Sequence, residues 1–153
     1  MKRIIIHPEK CTGCRLCESV CVLYRERVND LSRSRIRIVK KHSIGFSTPV
    51  VCFQCKSPPC AEVCPASAIK KDPADVVKID ENLCFGCEAC VSACPFGVMM
   101  VFGEKVAKCD LCEGDPQCVK YCATEAIVYG EVEQISQEKR GRVLNLALEN
   151  QGT

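Results

Sequence analysis

The chain has 153 residues, a formal net charge of +2, no tryptophan, only eight aromatic residues and sixteen cysteines. Its length allows one domain or two small ones, and no run of about 18 apolar residues exists to span a bilayer. Met1 to Pro8 holds three consecutive apolar residues after a basic pair, far short of a secretory leader. The expectation is a cytoplasmic, unprocessed chain.

Sixteen cysteines pose two alternatives, a disulfide framework in a secreted protein or metal ligation in a reducing compartment. Every cysteine falls inside a short repeating group, and no leader points to secretion, so metal is the reading. With so few aromatics the hydrophobic core is thin, and small scaffolds of this kind need staples. Inorganic clusters are expected to supply them. Four oxidised cubanes at roughly −2 each, ligands included, would take the net charge from +2 to about −6. Much of the basic content then neutralises buried charge and implies no anionic partner.

In chain order, Arg3–Ile6 is a β-branched run and predicts a strand. The first group follows as Cys11-x2-Cys14-x2-Cys17-x3-Cys21, with a short helix expected from Cys17 to about Arg25 and Val22 after the fourth cysteine. Residues 25–42 are basic. Their alternating stretch, residues 35–39, predicts a half-buried strand with its charges outward. Such a run is a solvated hairpin face or a docking surface; nucleic-acid binding is disfavoured because no aromatics are interleaved for stacking. The second group is Cys52-x2-Cys55-x4-Cys60-x3-Cys64-Pro65. Ala68-Ile69 and Val76–Ile79 predict a hairpin around the turn at residues 72–75.

The third group, Cys84-x2-Cys87-x2-Cys90-x3-Cys94-Pro95, is the most specific motif in the chain. Three thiols at this spacing close around one corner of a cubane, while the fourth reaches a neighbouring cluster. Residues 97–102 read as a strand turned back at Gly103-Glu104 toward Lys105-Val106. The fourth group is Cys109-x2-Cys112-x5-Cys118-x3-Cys122 with Ala123 after it, and Ala126–Tyr129 is again strand-like. The polar tail from Glu131 carries Val143, Leu144, Leu146 and Leu148, a helix covering the domain or a subunit contact.

Cys60 to Ile69 and Cys118 to Ile127 share the frame C-x3-C-x3-A-I, and Ile6 and Ile79 stand alike five residues before their cysteine groups. The first and second groups look repeated as the third and fourth. If Arg3–Ile6 pairs with Ala126–Tyr129 as the central hairpin pairs with itself, one two-cluster module is nested around another. With the fourth cysteine of each group reaching its neighbour, one set is Cys11, Cys14, Cys17 and Cys122. A second is Cys109, Cys112, Cys118 and Cys21. The inner sets are Cys52, Cys55, Cys60 and Cys94, and Cys84, Cys87, Cys90 and Cys64. Sequential pairing of first with second and third with fourth remains an alternative, as does one cluster per motif.

On these four groups, from Ile4 to about Tyr129, the chain resembles the four-cluster, ferredoxin-like electron-transfer subunits of multi-subunit oxidoreductases. The resemblance implies an α+β fold of two nested bacterial-type two-cluster ferredoxin modules with short hairpins and short helices. The outer module would be residues 1–48 with 103–153, and the inner 49–102. It implies four [4Fe–4S] clusters and a catalytic partner: a molybdenum or tungsten pterin enzyme, formate dehydrogenase, hydrogenase or carbon monoxide dehydrogenase. A ferredoxin or flavoprotein subunit is a further expected partner. The compact fourth group and the lack of a membrane helix look like the small subunits of tungsten aldehyde oxidoreductase-type enzymes, including class II benzoyl-CoA reductase. A free polyferredoxin is the alternative.

Zinc also takes thiolate, but its sites habitually use two separated CxxC-like pairs. Sixteen cysteines fill four complete sets, leaving no open iron for catalysis. No GxGxxG opens a helix after a strand. A non-catalytic carrier is expected, with His7 and His42 as surface or turn residues. Phe53, Phe85 and Phe96 stand beside ligands, either to exclude water or as ordinary core. Lys108 and Arg15 are placed to raise local potentials.

Overall fold

In the computed structural model, residues 2–133, 136, 137 and 140 are described. The expected helix over the leucines of the tail lies outside them. Among the described residues eight strands pair into four two-stranded antiparallel ladders, threaded by short helices. Strand β1 (Lys2–Ile6) takes β8 (Ile127–Glu131), so the two ends of the described chain meet, with Ile4 opposite Tyr129 and Ile6 opposite Ile127. The small ladder β4 (Ile69–Lys71) and β5 (Val77–Ile79) forms the expected central hairpin. Ladders of three residues are too short to stand alone in water. They persist because each buries one face against a cysteine loop.

Helix α1 (Leu16–Glu26) begins and ends close to expectation. Helices α2 (Pro59–Glu62), α3 (Ala89–Ala93) and α4 (Gln117–Lys120) are barely one turn each. The strand expected over residues 97–102 shortens to β6 (Met100–Phe102), since Gly97 sits at φ +60 and turns the chain first. Gly103 then reverses it into β7 (Lys105–Ala107).

The basic region departs most from its sequence reading. Its strand is β2 (Ile36–Lys41), and the return strand of the expected hairpin, β3 (Phe46–Val51), lies beyond the basic run. Pro49 sits within β3 opposite Ile38, tolerable because both strands are sheet edges. The charges are not simply solvated. Arg25 donates to Asp110, and half-buried Arg35 donates to Glu26 at 3.2 Å and Asp110 at 3.4 Å. Arg37 donates to the carbonyls of Leu31 and Ser32. Part of the basic run is therefore internal scaffolding that ties α1 and β2 to the fourth cysteine group.

Two apolar cores result. One gathers Cys17, Ile36, Val51, Val76, Leu111 and Ile127; the other gathers Ile69, Val77, Cys90, Met99 and Val106. Val76, just before β5, enters the first core, and Val77, its first residue, enters the second. His7 is a turn residue, its carbonyl accepting the Lys10 N–H at 3.0 Å, but it is not on the surface: it is 4% exposed, and its own N–H donates to the Ala126 carbonyl at 2.8 Å. His42 lies exposed at the hairpin tip, as expected.

Candidate metal centres

Each cysteine group closes its loop by placing the second residue after its first cysteine in the left-handed region. Those residues are Gly13 (φ +69), Gln54 (φ +50), Gly86 (φ +76) and Leu111 (φ +61). Glycine takes this conformation without strain, whereas Gln54 and Leu111 carry a cost of about 1–3 kcal/mol each. At Gly86 space decides as well, because a Cβ would lie 2.2 Å from the Glu104 carbonyl oxygen. Arg15 and Glu88, also left-handed, then open α1 and α3. In the first and third groups left-handed residues flank Cys14 and Cys87, an alternation that turns successive N–H groups into one concavity, the nest that binds anions and iron–sulfur clusters; in the fourth, Leu111, Cys112 and Glu113 are left-handed in succession.

The chain leaves three of the four groups by the same turn. Ser67, Gly97 and Glu125, each three residues past a fourth cysteine, are left-handed. Their N–H groups donate to the carbonyls of Cys64, Cys94 and Cys122 at 3.1, 3.3 and 3.0 Å. Proline is not needed for this turn, since Ala123 serves as well as Pro65 and Pro95. The first group differs because Val22 lets α1 run on to a left-handed Arg27.

All sixteen cysteines are free thiols, and only Cys14 and Cys87 are exposed. One cavity is lined by Cys11, Cys14, Cys17 and Cys122. A second has Cys52, Cys55, Cys60 and Cys94 in its wall, and a third has Cys64, Cys84, Cys87 and Cys90. The remaining four thiols are also neighbours. Cys118 is pushed up by burial first, and then by charge on Cys109, Cys21 and Cys112. Burial and the Glu18 carboxylate push Cys17 up to about 12; burial likewise pushes Cys109 up to about 12. Among the described residues no three His, Cys, Asp or Glu side chains converge on a single ion. In three of the four sets the sulfurs line a shared cavity, which suits a multi-atom cube better than one zinc held at about 2.3 Å.

Sulfur also receives backbone donors, from Arg35 to Cys21 at 3.4 Å and from Ala68 to Cys64 at 3.3 Å. Such bonds favour the more negative, reduced state of a cluster and raise its potential. The phenylalanines are not core: Phe53, Phe85 and Phe96 are 47%, 66% and 43% exposed. Each still lines a cysteine cavity, and the rings of Phe53 and Phe96 lie 4.4 Å apart. Arg15 pairs with Glu18, whose other oxygen accepts the Ile38 N–H at 2.8 Å, so its charge is already answered. Lys108, by contrast, is buried. Gln54 and Glu18 escaped the sequence reading. Their only signal is a polar residue inside or beside a cysteine loop, which most such loops present to solvent.

Cysteine-lined cavities built on nests define an iron–sulfur protein of the ferredoxin type. The chain belongs to the 4Fe-4S dicluster domain family, whose pattern matches residues 44–132, and a 4Fe-4S binding domain matches residues 4–21. It is similar to the putative electron transport protein YsaA of Escherichia coli K12, 37% identical across 89% of this chain and 94% of that one. Over 78% of this chain and 70% of the other, it is 42% identical to the polyferredoxin-like subunit of an aliphatic sulfonate oxidoreductase from Pyrococcus furiosus. Among solved structures, the active site complex BamBC of benzoyl coenzyme A reductase contains a chain that matches with a TM-score of 0.52 at 26% identity. That match covers 97% of both chains. The protein is thus an electron-transfer iron–sulfur protein related to oxidoreductase subunits and polyferredoxins, a carrier and not itself a catalyst. Among the described residues no helix is long and apolar enough to cross a membrane.

Proposed function

We propose that the chain relays electrons through four [4Fe–4S] clusters to or from a catalytic oxidoreductase subunit. The observation that carries this reading is the grouping of cysteines around cavities. Three of the four sets obtained by nesting each line one cavity. In the fourth set, Cys118 is coupled electrostatically to Cys109, Cys21 and Cys112, which supports grouping them. The paired ends β1 and β8 and the repeated loop geometry support an outer module nested on an inner one by duplication. β3 runs across their proposed boundary at residue 48.

Electrostatic coupling between sets supports a linear order, linking Cys118 to Cys17, Cys109 to Cys52 and Cys90 to Cys60. The exposed Cys14 and Cys87 then mark the two ends of the line. When bound, the clusters supply one-electron transfer without bond making or breaking. The protein holds their spacing and donates N–H groups to sulfur.

The proposed partner is a catalytic subunit of the tungsten aldehyde oxidoreductase type. Similarity to the sulfonate oxidoreductase subunit and to the benzoyl coenzyme A reductase complex supports it. Purification of the native protein at high salt tests the proposal. A stoichiometric catalytic subunit and about sixteen iron atoms per chain are expected; a solitary chain would favour a free polyferredoxin.

A further inference from the structure

Lys108 is 3% exposed and Gln54 fully buried, at the junction of the second and fourth cysteine groups. The Lys108 ammonium donates to the carbonyls of Val77 and Cys109, the latter at 2.8 Å. Gln54 reinforces the same place, donating to the Cys109 carbonyl at 2.8 Å and accepting the Val77 N–H at 2.9 Å. Among the described residues no carboxylate pairs with this lysine. Its side chain lies in the wall of the cavity formed by Cys52, Cys55, Cys60 and Cys94.

Carbonyl dipoles alone are poor compensation for an ammonium removed from water, and buried charges in proteins are paired or neutralised. The groups here that become negative on cluster binding are the cysteine sets on either side. We infer that Lys108 is the charge-compensating residue of the two middle sites, raising the potentials of the sets holding Cys60 and Cys109. The larger effect falls on the Cys60 set, whose cavity it lines. An electron arriving from a terminal site adds one negative charge beside this fixed positive one, and no bond forms or breaks. The charge therefore favours occupancy of the middle of the line. Arg15, exposed and already paired with Glu18, has no such effect.

This inference rests on the four-set reading, which the iron count of the wild-type chain tests separately. The experiment is a potentiometric titration of the full chain, followed by electron paramagnetic resonance, for wild type, Lys108→Gln, Lys108→Arg and Arg15→Gln. Lys108→Gln keeps a hydrogen-bond donor but removes the charge. It is expected to lower one midpoint by a tenfold or greater change in the reduction equilibrium, about 59 mV for one electron. A second midpoint moves less. Lys108→Arg and Arg15→Gln stay near wild type. Should Lys108→Gln fail to hold iron while Lys108→Arg holds it, compensation is again supported. Loss of iron in both Lys108 variants, equal shifts at all sites, or no shift in a fully loaded Lys108→Gln would overturn it.

Discussion

The first and third cysteine groups have identical spacing and identical loop geometry, yet their chains leave in different ways. Both loops carry a left-handed glycine and a left-handed residue before the helix. In the third group Pro95 follows, α3 stops after five residues and a turn leads to a short ladder. In the first, buried Val22 continues the helix to eleven residues. That extra length carries Arg25 and Glu26 to Asp110 and Arg35, joining α1 to β2 and to the fourth group. The cysteines and glycine determine the loop. The residue after the fourth cysteine decides how much scaffold is built around it.

Exchange of those residues breaks the comparison most sharply. Proline inside a helix removes a hydrogen bond and clashes with the preceding turn, costing about 3 kcal/mol or more. Val22→Pro is therefore expected to release iron from the outer sets before the inner ones, followed by iron content and thermal melting. The mirror change, Pro95→Val, only loosens the unfolded chain and costs about 0.4–1 kcal/mol. Asp110 accepts from two arginines and from the Cys112 N–H at 3.1 Å. Asp110→Asn weakens charged hydrogen bonds worth about 1.5–3 kcal/mol, and denaturant melts should show the loss with the inner sites retained.

The glycines sharpen the comparison further. A Cβ at Gly86 meets backbone, whereas one at Gly13 meets the Ser47 side chain at 2.6 Å, which can rotate. Gly86→Ala is expected to cost about 1–3 kcal/mol more than Gly13→Ala, as overpacking does; paired melting curves measure the difference.

The smallest effect is in the cluster-free chain. Burial lifts Cys17 and Cys109 from the ordinary 9.0 to about 12. Below the lower value both folded and unfolded chains hold these protons, and their contribution is complete. As pH rises toward the upper value the unfolded chain releases them first, so stability falls. Circular dichroism of chelator-stripped protein should show less structure at a pH of about 11 than at about 8.

Much of this was legible because cysteine spacing and β-branched runs are local signals. Arg3–Ile6 and Ala126–Tyr129 marked the strands that close the chain ends, and the third group marked its own loop. The position of β3 was hidden by Pro49 and by Ser47-Thr48, which weaken a strand pattern that tertiary packing restores. Charge was legible but its burial was not. Arg25 and Arg35 look like solvent-facing cations until carboxylates distant in sequence are brought beside them, and Lys108, notable for its place next to Cys109, shows its burial only in the fold. Gln54 was invisible for the same reason, as its partners lie 23 and 55 positions away.

An anomalous difference map at the iron edge, from crystals of the anaerobic protein, tests the central claim most directly. Four compact iron sites are expected, each enclosed by one of the four cysteine sets, with the sets of Cys14 and Cys87 at opposite ends. Single-ion peaks, or a site joining Cys11, Cys14 and Cys17 to Cys64 in place of Cys122, would contradict it.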